Sequence, residues 1–307
     1  MRSVIFLLML SLITARVSAQ ANHPVTWKFD CVKVGALTYK VQFHAAVKEP
    51  FHIYPMQSSG GGLGMPTEFI FEDDENIELT GDMEERGVDA AVGDVAHYAV
   101  GATFTQTIRL RSDKKTTLRF RIKYMACTDS YCLPPSSKKF TFDISEQGGV
   151  NTESEGEKGN QEKTQDPVTW VYEDFVMQDT ARSNVSSREI TLKSRYTFID
   201  FWASWCGPCR AQGRHLVPVY KQYRQKGFEV IGISLDTDAK AWKKAILADG
   251  YPWTNLSDLK GFESPVSKKY GITEIPRNFL IDSSGVIVAK DLHGKELERK
   301  LAELLDK

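Results

Sequence analysis

Between residues 145 and 167 the chain reads SEQGGVNTESEGEKGNQEKTQDP, in which Val150 is the one aliphatic side chain. A segment this poor in apolar groups has too little to bury to offset the entropy of ordering it, so it reads as a flexible linker. As a coil it keeps its ends roughly 25 Å apart, with a longer maximum reach. It divides the 307-residue chain into two bodies, 20–144 and 168–307, each long enough for a core and free to meet the other and part from it.

The first body alternates. VTWKFDCVKV, LTYKVQFHAAV, TEFIFED, TFTQTIRLRS and TTLRFRIKYMA are short, β-branched and aromatic, and turn residues separate them. Strands at this spacing predict an all-β, immunoglobulin-like sandwich. The glycine-rich SSGGGLGMP at 58–66 has no following helix and no Lys-Ser/Thr ending, which argues against a phosphate-binding loop. The second body mixes two periods. YTFIDFWA and FEVIGISL suit strands buried on both faces. Leu216, Val219, Tyr220 and Tyr223 lie at i, i+3, i+4 and i+7, one face of a helix, and Leu297, Leu301, Leu304 and Leu305 repeat the pattern. NFLIDSSGVIVAKD reads as two strands around a Ser-Gly turn, so the body is α/β.

The chain opens with Arg2, an apolar run from Val4 to Ile13, and the small residues Val17-Ser18-Ala19. This is the pattern of a signal peptide over 1–19 cleaved after Ala19, and a run of about 10 apolar residues is too short to span a bilayer. Export to a periplasm is the expectation. In an oxidising compartment a close cysteine pair is normally a disulfide. The formal net charge of −1, without a basic cluster, argues against a nucleic-acid partner.

The five cysteines are Cys31, Cys127, Cys132, Cys206 and Cys209. Cys206-Gly207-Pro208-Cys209 falls where a buried strand passes into a helix. A thiol at a helix N-terminus is favoured as thiolate by the unpaired N–H groups and the dipole. Cys206 is then the attacking sulfur, and Cys209, one turn on, resolves the mixed disulfide. Gly207 and Pro208 permit close approach without loss of a helical hydrogen bond. Half of a zinc site has the same spacing but needs a second pair or histidines, and Cys127 and Cys132 belong to the other body. No metal and no cofactor are expected.

FIDFWASWCGPCR resembles the active-site strand and helix of thioredoxin. With GISLDTD, YPW and YGITEIPRNFLIDSSG, the stretch 168–307 resembles the exported TlpA/ResA branch of that superfamily. The resemblance implies a thioredoxin fold and a thiol–disulfide oxidoreductase. It makes Pro276 a cis proline beside the redox pair, with Ile275 and Glu274 shaping the groove for a substrate chain. It makes Asp200 the buried acid that moves the proton of Cys209, and it sets Trp205, Gly207 and Pro208 at the substrate-binding surface. The Gly-Pro dipeptide matches the reducing members; a disulfide oxidase or isomerase of the same fold is the rival.

YMACTDSYCLPPSSKKFTF and FHIYP make residues 20–144 similar to the N-terminal periplasmic domain of the thiol:disulfide interchange protein DsbD. That likeness implies a second redox pair, Cys127/Cys132, fed by the thioredoxin-like body. It further implies a membrane electron donor of the DsbD/CcdA type and exported client proteins with disulfides. A plain staple remains the alternative for Cys127–Cys132, although so short a loop gains little stability from closure. A module that binds copper or clients, with a passive sandwich, is a further alternative. Cys31 shares a strand face with Trp27 and Phe29 and reads as a buried, inert side chain. The six histidines do not cluster in sequence.

Overall fold

The computed structural model describes residues 23–57, 64–89, 96–144, 151–153 and 172–306. The signal peptide expected at 1–19, residues 58–63 of the glycine-rich stretch and the expected linker apart from 151–153 lie outside the described residues.

The first body contains β1 (Val25–Lys33), β2 (Thr38–Val47), β3 (Glu68–Phe71), β4 (Ile77–Asp89), β5 (Tyr98–Leu110), β6 (Thr116–Tyr124), β7 (Ser136–Ile144) and β8 (Asn151–Glu153). They form two antiparallel sheets, ordered β1-β2-β5-β4 and β3-β6-β7-β8. Alternate side chains of each strand point inward, as the two-residue period requires. On β1 these are Val25, Trp27, Phe29 and Cys31; on β2 they are Tyr39, Val41, Phe43 and Ala45. Aromatic edges join the sheets: the Phe29 ring lies 5.1 and 4.9 Å from those of Phe120 and Phe140 across the core.

Two elements depart from the sequence reading. The strand β4, IELTGDMEERGVD, carries no apolar alternation; Leu79 is exposed, and the register shifts between Thr80 and Glu84. Its ladder with β5 holds it in place, and of its described side chains only Ile77 and Met83 pack, partly buried, against the core. The second departure corrects the linker: Asn151–Glu153 pair with Phe140–Phe142 as an edge strand. Edge pairing uses backbone N–H and C=O groups, so the lack of apolar side chains does not forbid it.

The second body contains β9 (Val176–Asp179), β10 (Asn184–Ser186), α1 (Ser187–Thr191), β11 (Tyr196–Trp202), α2 (Gly207–Tyr223), β12 (Phe228–Ser234), α3 (Ala239–Asp249), β13 (Thr254–Ser257), α4 (Pro265–Lys269), β14 (Arg277–Asp282), β15 (Ile287–Lys290) and α5 (Lys295–Leu305). Its sheet runs β10-β9-β13-β12-β11-β14-β15. β11, β12 and β13 are parallel, and β14 and β15 complete it as an antiparallel hairpin. This is a thioredoxin fold. The central strands β11 and β12 are buried along almost their whole length, which explains their unbroken apolar runs. α2 buries Leu216, Val219, Tyr220 and Tyr223, and α5 buries Leu297, Leu301 and Leu305, with Leu304 partly covered. Among the described residues no helix is long and apolar enough to cross a membrane.

The bodies touch. Tyr54, Met125, Cys127 and Cys132 of the sandwich belong to the same buried apolar cluster as the core of the second body.

Candidate active site

The buried strand β11 ends at Trp202, and four residues later Cys206 caps α2 with extended backbone. The Cys209 amide donates to Cys206 Sγ at 3.2 Å, and the Arg210 amide donates to the Cys206 carbonyl at 3.0 Å. Gly207 and Pro208 are the first helical residues, where no intrahelical donor is lost. Cys206 and Cys209 form a disulfide across 5.3 Å between Cα atoms. On reduction, the helix-terminal N–H groups around Cys206 favour its thiolate.

Two buried polar clusters, neither singled out in the sequence, hold this turn. The Arg210 guanidinium donates to both carboxylate oxygens of Asp249 at 2.6 and 2.9 Å, tying the first turn of α2 to the end of α3. Asp236 accepts from the Ser204 amide at 2.9 Å, the Ser204 hydroxyl at 2.5 Å and the Ser234 hydroxyl at 2.6 Å. Burial pushes the Asp236 carboxyl up, and the Ser204 and Ser234 bonds oppose that shift. Asp236 lies in the GISLDTD stretch. Its legible signal was a carboxylate just past a fully buried strand.

Asp200 sits in the middle of β11, between Gly232 of β12 and Asn278 of β14. It is buried, and its Oδ1 has no hydrogen-bond partner. Desolvation raises its carboxyl to about 7. A carboxyl poised there exchanges a proton near neutral pH.

The Ile275–Pro276 bond is cis, and Cys206 Sγ lies 3.8 Å from the Ile275 carbonyl oxygen. Ile275 is wholly buried, because the sandwich covers it. The Cys132 amide donates to the Ile275 carbonyl at 2.8 Å, and the Ile275 amide donates to the Cys132 carbonyl at 3.2 Å. Cys132 is in turn opposite Cys127, bonded to it with Cα atoms 4.0 Å apart, and Cys127 is opposite His52. Four segments thus form one lateral row, His52–Cys127–Cys132–Ile275, ending beside Cys206. The two cysteine pairs, distant in sequence and on different bodies, meet in space.

Local chemistry shapes the row. The Thr128 hydroxyl accepts from the Ser130 and Tyr131 amides, each at 3.1 Å, folding the turn between the cysteines. Pro134 and Pro135 follow; without N–H groups they end that ladder before β7 begins. Trp205 is half-buried against Phe262, and its carbonyl accepts from the Gly64 amide at 2.9 Å. Gly64 has φ +77°, and a Cβ there would lie 2.3 Å from the Tyr54 ring. Only glycine passes between Tyr54 and Trp205. Glu274 is half-buried and pairs with Arg277 at 3.5 Å, at the margin of the contact.

Cys31 is buried and carries no disulfide. His215 pairs with Glu298 at 2.8 Å, and His293 Nδ1 lies 2.6 Å from Gln212 Oε1, both on the second body. His52 and His97, far apart in the sequence, pack with ring centroids 4.2 Å apart and planes tilted by 37°. Sequence reasoning missed that pair, since strand pairing alone brings it together.

A helix-capping dithiol pair beside a cis proline on this sheet defines a thiol–disulfide oxidoreductase of thioredoxin fold. Residues 170–290 match the AhpC/TSA family. The thiol-disulfide oxidoreductase ResA of Bacillus thuringiensis subsp. konkukian is 29% identical over 133 residues, 43% of this chain and 73% of that protein. The thioredoxin-like protein YneN of Bacillus subtilis is 30% identical over 158 residues, 49% of this chain and 84% of that protein. Among solved structures, a thiol-disulfide oxidoreductase from Bacteroides fragilis is 35% identical and aligns with 44% of this chain and 100% of its own, with TM-score 0.41. The chain belongs to the thioredoxin-like proteins and is an oxidoreductase of the ResA/TlpA type.

Proposed function

We propose that the chain is an exported, periplasmic reductase that carries electrons between its two cysteine pairs. A membrane donor of the DsbD/CcdA type reduces Cys206/Cys209. Cys206 thiolate attacks Cys132 Sγ, the Cys127–Cys132 bond breaks and Cys127 leaves with the electron pair. Cys209, its proton taken by Asp200, then displaces Cys132 and closes Cys206–Cys209. Two electrons and two protons have passed to the sandwich, whose dithiol reduces disulfides of exported clients.

The observation that carries this reading is the two-way hydrogen-bonded pair between Cys132 and Ile275. It is the way an extended peptide adds to an exposed backbone edge, main-chain bonds supplying the fixation. The sandwich therefore sits on the second body as a substrate does, with Trp205, Gly207, Pro208, Glu274 and Pro276 around the contact. The resemblance of residues 20–144 to the DsbD N-terminal domain, and an immunoglobulin-like sandwich, support the same reading. The Gly-Pro dipeptide supports the reducing direction, and the pattern of residues 1–19 supports export.

Insulin reduction by the mature chain, driven by dithiothreitol, tests the assignment. Cys206→Ser is expected to abolish activity. The double change Cys127→Ser, Cys132→Ser is expected to remove most of it if the sandwich is the outlet to clients. Full activity in that double variant would leave the sandwich as a docking body alone.

A further inference from the structure

His52 lies opposite Cys127 of the sandwich disulfide, and His97 packs on its ring. His52 and His97 are 8% and 5% exposed, and His52 Nε2 and the Tyr54 hydroxyl oxygen are 3.2 Å apart. His52 and Cys127 form a hydrogen-bonded antiparallel pair, amide to carbonyl in both directions at 2.8 and 3.0 Å. Directly opposed residues of such a pair project to the same face, with Cβ atoms about 5 Å apart. The imidazole and the Cys127 sulfur are therefore neighbours.

Exchange at Cys127 and Cys132 needs somewhere to put a proton. Both sulfurs are wholly buried, and burial in apolar surroundings holds a thiol protonated. Three groups besides His52 face this end. Tyr54 is pushed up to about 12, by burial first and then by Asp129, so its hydroxyl keeps its proton. Asp129 lies on the exposed tip of the turn. His97 packs on His52 and opposes a positive charge there. Burial, then His97, lower His52 to about 4, with Asp129 acting in the opposite sense. The imidazole is thus neutral at pH 7, with one ring nitrogen able to accept a proton.

Building on the relay reading, we propose that His52 is the general base for Cys127 when the sandwich dithiol reduces a client. The Cys127 thiol gives its proton to the imidazole as its sulfur attacks Cys132 in the Cys132–client mixed disulfide. The Cys127–Cys132 bond forms, and the bond from Cys132 to the client sulfur breaks. The departing client thiolate takes the proton from the imidazolium. The client disulfide ends reduced and the sandwich dithiol oxidised. Tyr54 positions the ring, Asp129 favours the transient imidazolium, and His97 favours its return to neutral.

The test uses the mature full chain carrying Cys206→Ser and Cys209→Ser, reduced with a phosphine and mixed with excess oxidised glutathione. Acid quenching and mass spectrometry follow the decay of the protein–glutathione mixed disulfide. His52→Gln is expected to slow that decay by about 100-fold at pH 7, a general-base effect. The deficit should shrink toward nothing by pH 10, where the thiol ionises unaided. Equal rates at pH 7, or the same slowing at every pH, would overturn the proposal. Should His52→Gln fail to fold, Tyr54→Phe removes only the hydroxyl near Nε2. A severalfold slowing confined to low pH then supports the assignment, and an unchanged profile overturns it. Chemical reduction makes this outcome independent of whether Cys206 reduces Cys127–Cys132, which the insulin assay addresses.

Discussion

Oxidised with oxidised glutathione, which leaves as two equivalents of reduced glutathione, a chain carrying Cys127→Ser and Cys209→Ser is expected to lock itself through a Cys206–Cys132 disulfide, whereas Cys132→Ser with Cys209→Ser is expected to stay largely unlinked. The asymmetry follows from the row His52–Cys127–Cys132–Ile275. Cys132 shares both backbone hydrogen bonds with Ile275, whose carbonyl oxygen is 3.8 Å from Cys206 Sγ. Cys127 lies one segment further away. A displacement on the order of 1 Å can cost about 100-fold in a reaction that depends on alignment, so a full segment's offset should decide the outcome. The link is intramolecular, and alkylation of the remaining thiols followed by peptide mapping reads it. The crosslinked fraction in the first variant should exceed that in the second by roughly tenfold or more at early times. Equal crosslinking would mean that Cys206 does not distinguish the two sulfurs.

The second large effect concerns Asp200, where stability and activity should move in opposite directions. Its carboxyl is raised from 3.8 to about 7 by desolvation. A folded-state value above the unfolded one means that the neutral carboxyl contributes no penalty below pH 3.8. As pH rises from 3.8 the unfolded chain ionises while the buried carboxyl stays neutral, so stability is lost up to about pH 7, where the loss levels off as the folded state ionises too. Since each pKa unit is worth about 1.4 kcal/mol, the domain loses on the order of 2–4 kcal/mol between pH 4 and pH 8. Asp200→Asn should therefore gain stability of that order at pH 8 and little at pH 4, read by urea unfolding at both values. The same substitution should slow single-turnover exchange by about 10- to 100-fold near pH 7, since the group proposed to receive the Cys209 proton is gone. Unchanged stability at pH 8 would contradict the buried-acid account.

Much of this was legible in the sequence because local patterns and tertiary demands agree. The apolar runs of β11 and β12 read as buried strands and are so. The i, i+3, i+4, i+7 faces of α2 and α5 read as core stripes and are so. β4 escaped because its side chains do not alternate; a backbone ladder to β5 holds it. β8 escaped because edge pairing leaves no compositional trace. Linker composition tells how freely two bodies move, not whether their surfaces fit. The Cys132–Ile275 pairing depends on backbone groups that no residue type advertises, and so does the meeting of His52 with Cys127. Arg210 and Asp249 lie 39 positions apart, and only the packing of α2 on α3 makes them partners.

The central claim is that Cys127–Cys132 and Cys206–Cys209 trade electrons. A redox titration of the mature chain, with thiols trapped by alkylation and each pair read by mass spectrometry, tests it most directly. Exchange pairs of this superfamily lie at roughly −120 to −270 mV, whereas structural disulfides fall below about −300 mV. The relay predicts that Cys127–Cys132 titrates within a few tens of millivolts of Cys206–Cys209, since about 30 mV is a tenfold change in the equilibrium of a two-electron couple. If Cys127–Cys132 stays oxidised after Cys206–Cys209 is fully reduced, it is a staple, and the sandwich takes no part in electron transfer.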